Sequence, residues 1–259
     1  MKSEIHAVSG WYGKIPYLGD FASRRLPQQF VNAWDDWLQH SLVASRSQLG
    51  THWLHIYLNS PIWRFILLPR VIDDAFWTGL IMPSVDKVGR HFPLSLAVAL
   101  DPEPGLVTTI IAAQDWFESL EETSLAALDT QFSTQDLEAR LEAIPFPLDA
   151  DDQADPVAAD LAAWLHQPSG WLDTALQPGG TLTSTVSQAA NQLLEATCHG
   201  TSLWWCAAEP SKQTRLCGFA GLPPPQFYAS LLQGQNLENA ATLRSRDSEP
   251  VNSPPAEYR

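Results

Sequence analysis

Phe76–Leu100 reads FWTGLIMPSVDKVGRHFPLSLAVAL. Two apolar runs flank the turn Ser84–Arg90, SVDKVGR. The runs are short and bounded by Pro83 and Pro93, so they read as strands, and the whole as an antiparallel hairpin. The tip packs Asp86, Lys87 and Arg90 around Gly89, where a tight turn asks for a positive φ. Asp86 and Arg90 are four residues apart across it. They can order the hairpin as an ion pair or display a recognition tip.

Working outward, residues 8–18 read as a strand ending near Pro16 and Gly19. Pro27 suits the first turn of a helix. Phe30, Trp34, Trp37, Leu38 and Leu42 then recur at helical spacing, and Gly50 closes the run. Thr51–Leu58 is a short helix broken by Asn59-Ser60-Pro61, and Ile62–Leu68 is a strand. Beyond the hairpin, Leu106–Phe132 reads as helical, with Trp116, Phe117 and Leu120 on one side. Ser133 is an N-cap for a helix to Ile144. Pro145–Pro156 reads as a loop, Ala158–Leu165 as a helix, Gln167–Ser184 as a Gly/Pro/Ser/Thr-rich loop and Val186–Thr197 as a helix. Thr201–Ala207 and Arg215–Phe219 read as strands joined by the loop Glu209–Thr214. Pro223–Leu232 is the last helix. Trp204 and Trp205 are adjacent, so a strand sends one into the core and the other to the opposite face.

Helices and strands alternate without a βαβ rhythm, which gives an α+β class: a mostly antiparallel sheet flanked by helices. The expected organisation is one globular domain over residues 1–232, with a polar, disordered tail over 233–259. A chain of 259 residues can bury a substantial core. Its eleven Trp are expected to be mostly packing residues. The net charge of −14 disfavours nucleic acid and anionic membranes as partners. Three cysteines with no CxxC fit a reducing compartment. The N-terminus lacks an apolar signal core, and no apolar run is long enough to span a bilayer. A cytoplasmic, soluble protein is expected.

No G-x-S-x-G elbow, Walker loop or H-E-x-x-H helix occurs. His52 and His55 share a helix face but lack further ligands nearby, so no metal or other cofactor is expected. Asp35 and Asp36 are adjacent on a helix rather than set across a cleft, and read as a solvated face. Gly19-Asp20-Phe21 is either a turn or an anchor. Arg24 and Arg25 are the only adjacent arginines in an acidic chain. They are either solvated or a grip for an anionic group.

The order of these pieces resembles the TagF family, accessory proteins of bacterial type VI secretion systems. The resemblance rests on GWYGKIPYLGDFASRRLP (Gly10–Pro27), FVNAWDDWLQHSL, LGTHWLHIYLNSPIWRFIL and WTGLIMPSVDKVGRHFPL. It is clear over roughly the first hundred residues and returns in SLWWC and FAGLPPPQFYASLL. It implies a non-enzymatic, post-translational repressor of secretion assembly that binds the forkhead-associated scaffold protein of that system. The partner-binding residues expected on the two signature loops are Asp20, Phe21, Arg24, Arg25, Ser84, Asp86 and Arg90. An enzyme acting on a phosphorylated or small-molecule substrate, or an effector adaptor or chaperone, is the alternative.

Overall fold

The structure, a computed structural model, describes residues 7–103, 105–148, 155–167, 172–176, 181–206 and 214–234. Its centre is a seven-stranded sheet with every pairing antiparallel. The strands are β1 (Gly10–Gly13), β2 (Ala22–Arg24), β3 (Trp63–Leu67), β4 (Phe76–Met82), β5 (Leu94–Leu100), β6 (Thr201–Cys206) and β7 (Arg215–Ala220). Their spatial order is β2-β1-β5-β4-β3-β6-β7. The hairpin read from the sequence is β4–β5, in register from Phe76↔Leu100 to Met82↔Leu94. All of β4 is buried, since both faces of the sheet are covered. Burial on both sides is why these strands read as continuous apolar runs.

One face packs on α1 (Gln28–Leu49), α2 (Trp53–Leu58) and α8 (Tyr228–Gln233). Trp34 is fully buried there, stacked on Phe30 at 5.3 Å and on Trp204 at 5.9 Å. Its indole N–H donates to Ser95 Oγ at 2.9 Å, which removes the cost of burying that donor. The opposite face packs on α3 (Leu106–Ala112), α4 (Gln114–Ala126) and α5 (Thr134–Ala143), through Ile110, Phe117, Leu120, Leu137 and Leu141. Arg64 of β3 lies inside this face and is paired to Glu121 at 2.7 Å. Two later helices, α6 (Pro156–His166) and α7 (Leu182–Thr197), share a small alanine-lined contact at Ala158, Ala162 and Ala189.

Several expected boundaries shift. The first strand is only Gly10–Gly13: Gly13 adopts φ +137°, and a Cβ there would meet Pro93 O at 2.1 Å. The chain turns at Ile15–Leu18 and returns as β2, a strand not expected from the sequence. The single helix expected over Leu106–Phe132 is two helices, broken at Ala113 (ψ 51°) and followed by turns from Ala127. No local breaker marks that kink. Tertiary contacts hold it instead: Gln114 Oε1 accepts from Arg64, and the Glu195 carboxylate accepts from the Gly105 and Val107 amides at the start of α3. α7 begins at Leu182, inside the stretch read as a loop, because Thr181 caps it through the Ser184 amide. Ser133 caps α5 in a full capping box with Asp136, as read. Trp204 is core, and Trp205 packs edge-on against Phe117 at 5.3 Å. Half of the expected loop 145–156, most of 209–214 and nearly all of the tail lie outside the described residues. Among the described residues no helix is long and apolar enough to cross a membrane.

Candidate functional site

The two signature loops converge at one end of the sheet. Lys14 directly follows β1 and carries its side chain into the β4–β5 loop, where Nζ donates to Asp86 Oδ2 at 2.9 Å. Arg90 Nε donates to the same oxygen at 2.6 Å. Asp86 Oδ1 accepts from the Val88 and Arg90 amides at 3.0 and 2.8 Å. Burial alone would push this carboxyl up. These four donors outweigh it and hold Asp86 well below the usual carboxylate range. Gly89, at φ +85°, lets the chain wrap around the carboxylate.

The loops are also stitched to each other. The Lys87 amide donates to Leu18 O at 2.9 Å, and Arg90 Nη2 donates to Gly19 O at 2.5 Å. Arg90 also stands 4.0 Å from Asp20. Phe21 packs edge-on against Phe92 at 4.7 Å, with Lys14 Nζ 4.5 Å from its ring centre. Behind this, the Tyr57 hydroxyl donates to Ser84 O and accepts from the Ser84 amide, and Ser84 Oγ donates to Lys14 O. Burial lifts the Tyr57 pKa, so the hydroxyl stays neutral and serves both roles.

The expected site residues therefore divide by position. Asp20, Phe21, Ser84, Asp86 and Arg90 are brought together. Ser84 and Asp86 are buried, with side chains occupied in shaping the corner, while Asp20, Phe21 and Arg90 are exposed. Arg24 and Arg25 stand apart from them. Arg24 is exposed on the edge strand β2, with only a local bond to Ser23 O. Arg25 takes the left-handed conformation (φ 57°), donates to Ser9 O, and pairs with Glu138 and Glu142 of α5. It ties a helix to the sheet. Sequence reasoning missed Lys14. The available signal was a lysine inside the apolar run WYGKIPYL, a position where burial demands a partner.

The crest of the corner is mixed: Tyr17, Phe21 and Val88 are exposed apolar groups set among Asp20, Lys87 and Arg90. A cavity of about 240 Å³ opens beside it, lined by Pro16, Leu58, Pro83, Val85, Leu125 and Leu128 among others. A second cavity of about 360 Å³ lies toward the other end of β4, with Arg70, Asp74, Glu103, Glu195 and His199 in its wall. Glu195 is engaged there in holding the α3 amides, and burial raises its pKa. Among the described residues no group of three or more His, Cys, Asp or Glu could hold a metal ion. His52 and His55 are both exposed.

The family model for the TagF N-terminal domain, type VI secretion system-associated, matches residues 10–144, from β1 through the end of α5. The chain belongs to this family. The matched segment holds both signature loops and the helix that Arg25 secures. Among solved structures, the chain is similar to PA0076 from Pseudomonas aeruginosa PAO1, with TM-score 0.67 and 29% identity over 96% of this chain and 100% of that one. No curated protein matches. The similarity to PA0076 extends beyond the segment matched by the family model, and the protein is associated with type VI secretion.

Proposed function

We propose that this TagF-family protein is a cytoplasmic binding protein that represses type VI secretion assembly by holding the forkhead-associated scaffold protein of the system. The observation that carries the reading is the convergence of the two signature loops into one internally braced corner with an exposed crest. A rigid surface loses little conformational entropy on binding, which favours recognition. The carboxylate at its centre is saturated by four donors and held ionised, a poor general acid or base at neutral pH. That favours a binding role over a catalytic one.

The crest supplies the test. Val88→Asp with Lys87→Glu changes exposed side chains and leaves the Asp86 network in place. Scaffold co-purified with this variant is expected to fall by at least about tenfold while its thermal unfolding matches wild type, since surface changes away from packing cost little stability. Arg24→Glu is the companion variant for the edge strand. Arg25 is unsuitable because its loss also releases α5. In a strain with a silent secretion system, deletion of the gene is expected to switch secretion on. Unchanged secretion would remove the repressor role, and normal scaffold binding by both variants would move the interface elsewhere.

A further inference from the structure

The cavity beside the corner has a character of its own. Leu58 ends α2 on one rim and Leu125 lies near the end of α4 on the other, and they are 53% and 52% exposed. Between them the wall is mostly apolar, Pro16, Ile62, Met82, Pro83, Val85 and Leu128, with Ser60 and Ser84 as its polar members. At about 240 Å³ it falls below the usual size of a cofactor or metabolite site, and suits one large apolar side chain. Exposed leucines around a preformed apolar hollow mark a docking site rather than a packing defect.

The charge beside it is one-sided along α4. Asp115, Glu118, Glu122 and Leu125 follow each other at three- and four-residue steps, so they form one stripe, with Asp129 in the turn beyond the helix end, and all are exposed. Glu121, off this stripe, is the α4 carboxylate that Arg64 engages. The carbonyl ends of α2 and α4 both lie at the cavity, and a helix C-terminus favours positive charge.

We infer that this cavity takes a single large apolar side chain from a protein segment whose flanking residues are basic and lie along the acidic stripe of α4. The inference rests on the binding role proposed above and names the chemistry of the segment that docks. The anchor contributes affinity through burial, and the stripe sets orientation and speeds encounter. The occupied cavity would join the loop corner to α4 as one continuous interface.

Fluorescence anisotropy with the full-length protein and short labelled peptides tests this. One peptide is rich in Lys and Arg around a single Trp. The second replaces that Trp by Ala, the third replaces the basic residues by Gln, and the fourth replaces them by Glu. The cationic Trp peptide is expected to bind at least about tenfold tighter than any of the others, as a buried aromatic anchor plus complementary charge requires. Leu58→Gln and Leu125→Gln, with thermal unfolding unchanged, are expected to weaken it about fivefold or more. Glu118→Gln with Glu122→Gln is expected to weaken it at low salt only, because exposed charges are screened. Binding that ignores the Trp, ignores the charge, survives both leucine variants, or is absent for all four peptides overturns the inference. Wild-type pull-down of the forkhead-associated scaffold is run in parallel. Loss of that result with the peptide pattern intact sinks the proposed function alone. The reverse sinks this inference alone.

Discussion

The aromatic face of the sheet and the loop corner at its end are held by opposite kinds of interaction. On the face, Phe30, Trp34, Trp37, Phe65 and Trp204 meet at ring separations of 4.8 to 5.9 Å. Their polar atoms are few and each indole N–H on α1 has one acceptor. At the corner, one buried carboxylate gathers two cations and two amides. Apolar packing tolerates small adjustments of position, whereas charged hydrogen bonds fix distance and direction. The face therefore supplies bulk stability, and the corner supplies a defined shape.

The largest expected effect is on the face. Trp34→Ala removes a fully buried ring with neighbours on both sides, and is expected to cost about 3–5 kcal/mol in chemical denaturation. The corner should keep its geometry in molecules that remain folded, so scaffold binding per folded molecule should hold. A parallel loss of both would mean that the two regions are one cooperative unit.

At the corner, Gly89→Val forces a β-branched residue to φ +85°. A Cβ there meets nothing within 4 Å, so the penalty is conformational alone, about 1–2 kcal/mol. Binding is expected to suffer more than stability, the inverse of Trp34→Ala. Equal losses in the two assays would dissolve the distinction between bulk and shape.

The same difference explains what could be read from the sequence. α1 was legible because packing on a flat sheet imposes a spacing that Phe30, Trp34, Trp37 and Leu42 display directly. The β4–β5 hairpin was legible because two buried runs flank a polar tip. The corner was legible only in part. The internal Asp86–Arg90 pair is local, but the Lys14 partner is 72 residues away and no spacing announces it. β2 was hidden for a similar reason: a three-residue edge strand has no periodicity, and it exists because Trp11 and Gly13 offer it a register. The split between α3 and α4 depends on Arg64 and Glu195, both remote in sequence. Of the expected contact residues, Asp20, Phe21, Ser84, Asp86 and Arg90 lie on the two converging loops, while Arg24 ends the edge strand β2 and Arg25 turns to α5, and the sequence could not say which of them point inward. Ser84, Asp86 and Arg25 turn out to be braces.

The contrast that separates the two regions most cleanly is acid dependence. Asp86 has a folded pKa held below its unfolded value of about 3.9. A depressed carboxylate contributes stability that is fully present above the unfolded pKa and is lost as pH falls through the folded one. Lys14→Met removes one of its cations and so makes the folded pKa less depressed. The stability deficit of Lys14→Met is therefore expected to be constant from pH 7 down to the variant's own folded Asp86 pKa, which lies below the unfolded value, and to shrink between there and the lower wild-type one. Burial lowers the pKa of the adjacent His91 below its ordinary value, so both proteins carry His91→Gln. The Trp34→Ala deficit, in the same background, should keep its size throughout, because the groups Trp34 packs on and bonds to, Phe30, Trp37, Phe65, Trp204 and Ser95, carry no charge. Urea denaturation at pH 7, 5, 3 and 2 reads both, with the Asp86 pKa of each protein followed by carboxyl NMR. A Lys14→Met variant whose Asp86 pKa matches wild type, with a deficit undiminished at pH 2, would mean that packing, and not the Asp86 charge, holds the corner together.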